Sequence, residues 1–393
     1  MALTLAPTLP QRRQLLSASA EKKSSYRPQL DGLRALAILG ILLEHFGVPL
    51  PSLLRCGPLG VRFFFVLSGF FITLSLWRMQ SRMAKSEDDS VVHLLRFYGS
   101  RLLRIGPPFY LALGLGALFG IEEVRTNFLW LATFQANNYY AYVGYFPDAI
   151  AHFWSLAVQE QFYLLWPLLV LTLPRRWFIP AMAGFILFGL GFRLFCIVTD
   201  TSTMFRWVTL LSCVDSFAIG AVIAYCKESR LLEKIPMLSR DMLVALPLIA
   251  FSCFFAARVL MTLPLDNRWV ALTESLDGVF LAWLLVSALA GGGRYHALLS
   301  WAPLVYLGKI SYGIYVYHVF VIVLVSPLLL TWGMSETHYH ALRLIILFLL
   351  TVALASLSWH WLEQPFLAWK KSLETRDAAP RPIPEGAFSL NAR

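Results

Sequence analysis

The chain has 393 residues, of which 58% are hydrophobic and only 14% are charged, and its mean hydropathy is +0.63. About a quarter of the residues in a soluble domain are charged, so this composition excludes an ordinary soluble protein and indicates a polytopic membrane protein. The net charge of +10 does not indicate nucleic-acid binding, because the basic residues are spread over short connections rather than gathered on a polar domain.

Apolar runs of about 20 residues, the length that crosses a bilayer, recur along the chain. We predict an all-α polytopic fold with about ten transmembrane helices, at residues 31–50, 59–77, 104–121, 153–173, 178–198, 207–226, 242–263, 271–290, 309–331 and 341–362. The short apolar stretch 127–135 is expected to be interfacial or re-entrant. Together these segments form a transmembrane domain over residues 28–369.

Polar tails flank this domain at both ends of the sequence. Residues 1–27 have no apolar stretch of the kind found in a signal peptide, so we expect no cleavage there. Residues 370–393 are polar and rich in Pro and Ala, and we expect them to be disordered. Lys and Arg are concentrated in alternate connections, which predicts that both tails are cytoplasmic. The basic connections include residues 12–27, 78–104, 175–176, 227–240, 294 and 370–381.

The first predicted span contains the sequence "LRALAILGILLEHF", with Arg34 near its start and Glu44 and His45 near its end. Ionisable groups inside a span are expensive, at about 2.5–3.5 kcal/mol on insertion scales, and are functional hypotheses by default. Arg34 and His45 are three helical turns apart, roughly 16 Å, and share one face. Asp31 lies at i−3 from Arg34 and can pair with it. Snorkelling at the membrane surface stays an alternative explanation for Arg34.

The fourth predicted span contains "HFWSLAVQEQFYLLWP" and places Glu160 about two turns below the outer edge. We predict a similar depth for His45, so these two residues are expected to meet. A carboxylate beside an imidazole orients a general base and holds its proton. A purely structural hydrogen bond between the two is the alternative.

The third predicted span begins with "RLLRIGPP", in which Arg101 and Arg104 lie on one side of the helix. Their guanidinium groups can bind phosphates, although the spacing alone favours ordinary charge at the cytoplasmic surface.

For other polar or small residues inside the predicted spans, a structural explanation is at least as good as a functional one. Ser68 and Gly69 permit either close helix packing, which is favoured, or passage of a substrate chain. His318 is either a site residue or a histidine with its hydrogen bonds satisfied in the core. Arg193 and Asp215 form either a structural pair or part of a site. The cysteines have no metal-ligand spacing, so no metal site is predicted.

These segments together resemble the acyltransferase-3 family of membrane-bound O-acyltransferases. The likeness rests on "LDGLRALAILGILLEHF", "FFFVLSGFFIT", "SRLLRIGPPFY", "FWSLAVQEQFYLLWP", "LGKISYGIYVYH" and "WHWLEQPF", which occur in the family's order between about Tyr26 and Trp369. Two positions depart from the family pattern. Gln159 stands where the family commonly has a first glutamate, and Glu44 is not a usual residue of the opening motif.

The resemblance implies an enzyme that moves an acyl group, usually acetyl, from cytoplasmic acyl-CoA to a hydroxyl of a carbohydrate acceptor. His45 would be the catalytic histidine, Arg34 its motif partner and Glu160 the essential carboxylate. We add Asp31 to these catalytic residues, because its spacing allows it to pair with Arg34. Arg101 and Arg104 would bind the acyl-CoA donor, and Ser68 and Gly69 would leave space for its pantetheine arm.

We place four further residues in the lining of the site: Glu44, Arg193, Asp215 and His318. We expect no bound cofactor, and we expect the protein to lie in the bacterial inner membrane.

Other functions stay open at this point. The acceptor can be a cell-envelope glycan, a lipid-linked glycan or a small molecule. A proton-coupled transporter also needs His, Glu and Asp within its spans, although such transporters often contain inverted repeats, and no repeat is evident here. A scaffold protein is the third class, but it does not account for charges that are aligned on one helix face.

Overall fold

The computed structural model describes residues 26–49, 56–84, 90–234, 268–290, 293–330 and 336–369. This part of the chain is helical and contains no β-strand. Its α-helices, in chain order, are α1 Pro28–His45, α2 Cys56–Met83, α3 Ser90–Leu118, α4 Glu122–Thr126, α5 Phe128–Ala132, α6 Ala136–Val143, α7 Phe153–Thr172, α8 Arg175–Val198, α9 Thr203–Val208, α10 Leu210–Glu228, α11 Leu231–Lys234, α12 Arg268–Ala290, α13 Gly293–Leu299, α14 Ala302–Lys309, α15 Ser311–Leu330 and α16 Glu336–Ser358. A π-helix at Trp359–Glu363 follows α16.

Six helical segments in the described residues are long and apolar enough to cross a bilayer. They are Cys56–Met83, Arg175–Val198, Thr203–Glu228, Thr273–Ala290, Ser311–Leu329 and Tyr339–Trp369. The prediction of an all-helical membrane protein is therefore confirmed.

Three further predicted spans, 31–50, 104–121 and 153–173, correspond to α1, α3 and α7. The predicted span 242–263 and most of both tails lie outside the described residues. The count of ten and the cytoplasmic termini stay predictions.

Apolar side chains on α8 point away from the protein interior. Leu187, Phe195 and Val198 are 69%, 61% and 72% exposed, and the helix has a mean hydropathy of 2.1. A continuous exposed apolar face of this kind is unfavourable in water and favourable against lipid. The helix α16 presents a similar face through Ile345 and Leu349.

The described helices group into two compact units. The first contains α1, α2 as far as Leu74, and α8–α14, and the second contains the end of α2 from Ser75, α3–α7, α15 and α16. The predicted short stretch 127–135 falls in the second unit, where it consists of the short helix α5 and the turns that connect it to α4 and α6. Gly144 ends α6 in the left-handed conformation with φ of 81°, which a glycine adopts without strain.

In the first unit, α2 and α10 cross at backbone contact. A Cβ atom on Gly69 would lie 2.0 Å from the carbonyl oxygen of Phe217, and one on Gly220 would lie 2.0 Å from that of Val66. Small residues allow this approach between membrane helices. The packing interpretation of Gly69 is therefore the one that this geometry supports.

Because the contact at Gly69 leaves no space for a methyl group, Gly69→Ala must separate the two helices. We expect it to lower the free energy of unfolding by about 1–3 kcal/mol, the usual effect of overpacking. Thermal unfolding in detergent measures this change. Gly184→Ala is the matched control, because a Cβ atom at Gly184 meets nothing within 4 Å. Equal melting temperatures for the two variants would contradict the prediction.

Candidate active site

The first helix holds the predicted ion pair near its N-terminus. Arg34 Nη1 lies 3.5 Å from Asp31 Oδ1, and the two side chains are 16% and 15% exposed. The hydroxyl of Tyr26 donates a hydrogen bond to the other Asp31 oxygen at 2.8 Å. Burial and this hydrogen bond raise the pKa of Tyr26 to about 12. The prediction that Asp31 pairs with Arg34 is confirmed.

His45 is the last residue of the same helix. Since α1 is continuous from Pro28 to His45, Arg34 and His45 lie on one helix at the predicted separation of three turns. The side chain of His45 is exposed, whereas Arg34 is half-buried. An exposed imidazole at a helix end is accessible to a substrate, which a catalytic histidine requires. The adjacent Glu44 accepts a hydrogen bond from the backbone of Gly57 at 2.7 Å.

Four buried charges from four helices of the first unit form a network. Arg193 Nη2 is 2.6 Å from Asp215 Oδ2, and Arg193 Nε is 3.4 Å from Glu274 Oε2. Arg62 Nη2 is 2.7 Å from the same Glu274 oxygen, and Arg62 Nη1 is 3.9 Å from Asp215 Oδ1. All four residues are at most 9% exposed. The predicted structural pair of Arg193 and Asp215 is therefore present, within a larger network.

Hydrogen bonds complete the surroundings of Arg193. Its Nη2 donates to the hydroxyl of Ser275 at 2.7 Å, and its Nη1 donates to the backbone carbonyl of Ser212. Two arginines and two carboxylates balance in charge, and such pairing is what makes a charge tolerable inside an apolar bundle. The presence of Arg193 and Asp215 inside the helix bundle is therefore explained by their contribution to its stability.

In the second unit, Arg101 and Glu160 lie within electrostatic range of each other. Glu160 Oε1 and Arg101 Nε are both buried and have no hydrogen-bond partner among the described residues. The guanidinium of Arg101 also lies 5.5 Å from the centre of the Phe97 ring, a cation–π contact. Arg104, one turn further along α3, is exposed. The two arginines therefore differ: Arg101 is held within the unit, whereas Arg104 is exposed at its surface.

His318 is fully buried in α15, and its Nδ1 donates to the backbone carbonyl of Tyr315 at 2.7 Å. The ring of His152, on the segment before α7, lies 5.1 Å from the His318 ring, and its Nε2 donates to the Val316 carbonyl at 3.2 Å. The hydroxyls of Ser155 and Tyr315 are 2.6 Å apart. These contacts join α7 to α15, and they support the core explanation for His318.

Sequence reasoning missed two members of the buried charge network. Arg62 lies near the start of the predicted span 59–77 and is buried within α2. Glu274 lies inside the predicted span 271–290 and was not singled out, although an acidic residue within an apolar run is itself a signal. Ser68 is buried next to the packed Gly69. The assignment of Ser68 and Gly69 to acyl-CoA stays a prediction.

The helices and the buried charges define a helical integral membrane protein that carries ionisable groups within its spans. Residues 27–360 match the acyltransferase-3 family model, described as an acyltransferase domain. The chain belongs to the acyltransferase-3 family, as its sequence motifs predicted.

Curated relatives of the chain include two named O-acetyltransferases. It is 28% identical over 365 residues to the peptidoglycan O-acetyltransferase OatA of Listeria monocytogenes, covering 86% of this chain and 56% of that protein. It is 29% identical over 368 residues to the O-acetyltransferase OatA of Staphylococcus aureus, covering 86% and 57%. The chain thus spans little more than half the length of these relatives. No solved structure matches it.

The network at Arg193 predicts a large effect on stability. Arg193→Leu leaves Asp215 and Glu274 with one arginine instead of two, and removing one partner from a buried ion pair typically destabilises a protein by about 3–5 kcal/mol. Denaturation of the purified protein in detergent measures the loss. Arg176→Leu, which removes an exposed arginine of the same helix, should leave stability nearly unchanged. Wild-type stability in Arg193→Leu would contradict the role given to the network.

Proposed function

We propose that the protein transfers an acetyl group from acyl-CoA to a hydroxyl of a cell-envelope carbohydrate. The observation that carries the proposal is the family match, which includes the helix bearing Arg34 and His45. The names of the two relatives, one a peptidoglycan O-acetyltransferase, support acetyl as the group and a glycan as the acceptor. A bacterial inner membrane is the location that fits such an acceptor.

His45 acts as the general base in this proposal. Its imidazole takes the proton of the acceptor hydroxyl while the hydroxyl oxygen attacks the thioester carbonyl. The carbon–sulfur bond breaks, an oxygen ester forms, and the proton passes from His45 to the departing CoA thiolate. The exposure of His45 supports this role, because both the hydroxyl and the thioester must reach the ring. A relay through an acyl-histidine is the alternative route.

Arg101 and Arg104 bind the phosphates of the donor. Guanidinium groups one helical turn apart can form charge-assisted hydrogen bonds to phosphate oxygens. The exposure of Arg104 supports its access to a ligand, and the unpaired Arg101 Nε supports a hydrogen-bonding capacity that the described residues do not use. Both termini of the chain are cytoplasmic in this proposal, which puts the arginines on the side where acyl-CoA is found.

Glu160 has an electrostatic partner within its own unit, Arg101. We propose that its buried carboxylate stabilises the guanidinium of Arg101 in the orientation that meets the donor. Its predicted pairing with His45 joins residues of two different units and stays a prediction.

The role of His45 predicts that His45→Gln abolishes acetyl transfer while the protein remains folded. Glutamine keeps a polar group of similar reach but cannot act as a base near neutral pH. Transfer of labelled acetyl from acetyl-CoA to glycan fragments by the purified protein measures activity, and thermal unfolding monitors folding. His340→Gln, at an exposed position of α16, is the matched control. Normal turnover by His45→Gln would refute the proposal.

The donor site predicts a change in KM for acyl-CoA. Arg101→Ala and Arg104→Ala each remove a charged hydrogen-bond donor, whose loss weakens binding by about 1.5–3 kcal/mol, or roughly tenfold or more in KM. Steady-state kinetics over a range of acyl-CoA concentrations measures it. Arg96→Ala, at an exposed arginine of the same helix, should keep the wild-type KM. A fall in kcat with unchanged KM would mean that these arginines do not bind the donor.

A further inference from the structure

Glu44 forms an unusual contact for a residue at the end of a helix. It precedes His45 in the last turn of α1, and its Oε2 accepts a hydrogen bond from the backbone N–H of Gly57 at 2.7 Å. Gly57 is the second residue of α2. The first N–H groups of a helix have no partner within the helix, and the positive end of the helix dipole favours a carboxylate. The side chain of Glu44 therefore provides a hydrogen-bond acceptor for an N–H group at the N-terminus of the neighbouring helix α2.

Glycines bring the two helices close enough for this contact. A Cβ atom on Gly57 would lie 3.0 Å from Glu44 Cδ and 3.1 Å from its Oε2, so a side chain there would press on the carboxylate. Further along α2, a Cβ atom on Gly60 would lie 2.5 Å from the carbonyl oxygen of Ala37. The C-terminal half of α1 is thus held against the start of α2, both by backbone packing and by the Glu44 hydrogen bond.

The contact bears directly on His45, because adjacent residues of a helical turn move together. Terminal turns of helices fray when nothing holds them, and His45 is the final residue of α1. We propose that Glu44 is a positioning residue, which clamps the last turn of α1 to the N-terminus of α2 and so fixes where the His45 imidazole points. The inference rests on the proposed function, since it takes His45 to be the catalytic base.

Two variants of Glu44 separate the hydrogen bond from the charge. The carboxylate also interacts electrostatically with the His45 ring. Glu44→Gln keeps an oxygen that can accept the hydrogen bond from Gly57 but removes the charge, whereas Glu44→Ala removes both. If the hydrogen bond is what positions His45, Gln should rescue most of the activity that Ala loses.

Kinetic measurement of acetyl transfer tests the clamp. We expect Glu44→Ala to lower kcat about tenfold to a hundredfold, the scale of effect that a misplaced catalytic group produces, with KM for acetyl-CoA unchanged. Glu44→Gln should stay within a few-fold of wild type in kcat. Glu122→Ala, at an exposed carboxylate in the first turn of α4, is the matched control. Wild-type kcat in Glu44→Ala, or equal loss in Gln and Ala, would overturn the proposal.

A substitution on the other side of the contact gives a second kinetic test. Gly57→Ala displaces the Glu44 carboxylate, so it should lower kcat in the wild-type protein. It should have little further effect in Glu44→Ala, where the carboxylate is already absent, because substitutions that break one contact are not additive. Fully additive losses would show that Gly57 and Glu44 act independently and would overturn the clamp.

Hydrogen exchange tests the same contact without reference to activity. In the full-length protein, Glu44→Ala should speed exchange in peptides that include the amide of Gly57, and Glu44→Gln should restore protection. Unchanged exchange in Glu44→Ala would overturn the clamp, even if the wild-type protein transfers acetyl normally. The expected exchange difference in a protein that transfers no acetyl would instead refute the proposed function and leave the contact between α1 and α2 standing.

Discussion

A charge buried in an apolar helix bundle must have a partner, and this constraint determines how the first unit is assembled. Arg193 is fully buried and is compensated by Asp215, Glu274 and the hydroxyl of Ser275. Arg62 supplies the second positive charge. Because the four charges come from α2, α8, α10 and α12, the network fixes these helices to one another through contacts that lipid could not replace.

The same constraint separates structural polar groups from candidates for chemistry. Asp31 with Arg34, and the buried network, are compensated within the first unit. His318 and His152 bond to backbone carbonyls and serve packing in the second unit. By contrast, Glu160 Oε1 and Arg101 Nε are buried without a hydrogen-bond partner in the described residues, and His45 is exposed at a helix end. Buried polar atoms with unused hydrogen-bonding capacity, such as those of Glu160 and Arg101, are expected where a substrate binds.

The sequence predicted what depends on local spacing. Asp31 and Arg34 are three positions apart on one helix, so their pairing follows from helix geometry alone, and the apolar runs predicted α8, α10 and α12 to within a few residues. Contacts between residues far apart in the sequence could not be predicted from local spacing. Arg62 and Glu274 are 212 positions apart, and no spacing rule joins them. The role of Glu44 was likewise hidden, because its partner is a backbone N–H that comes near only when α1 and α2 cross at their glycines.

The central claim is that His45 serves transfer of acetyl groups to a cell-envelope glycan. Its most direct test is mass spectrometry of surface glycans from cells that carry the wild-type gene, its His45→Ala form or a deletion. The account predicts base-labile acetyl esters in the first cells and their loss in the other two, with equal amounts of the two proteins in the membrane. Unchanged acetylation in the His45→Ala cells would contradict it.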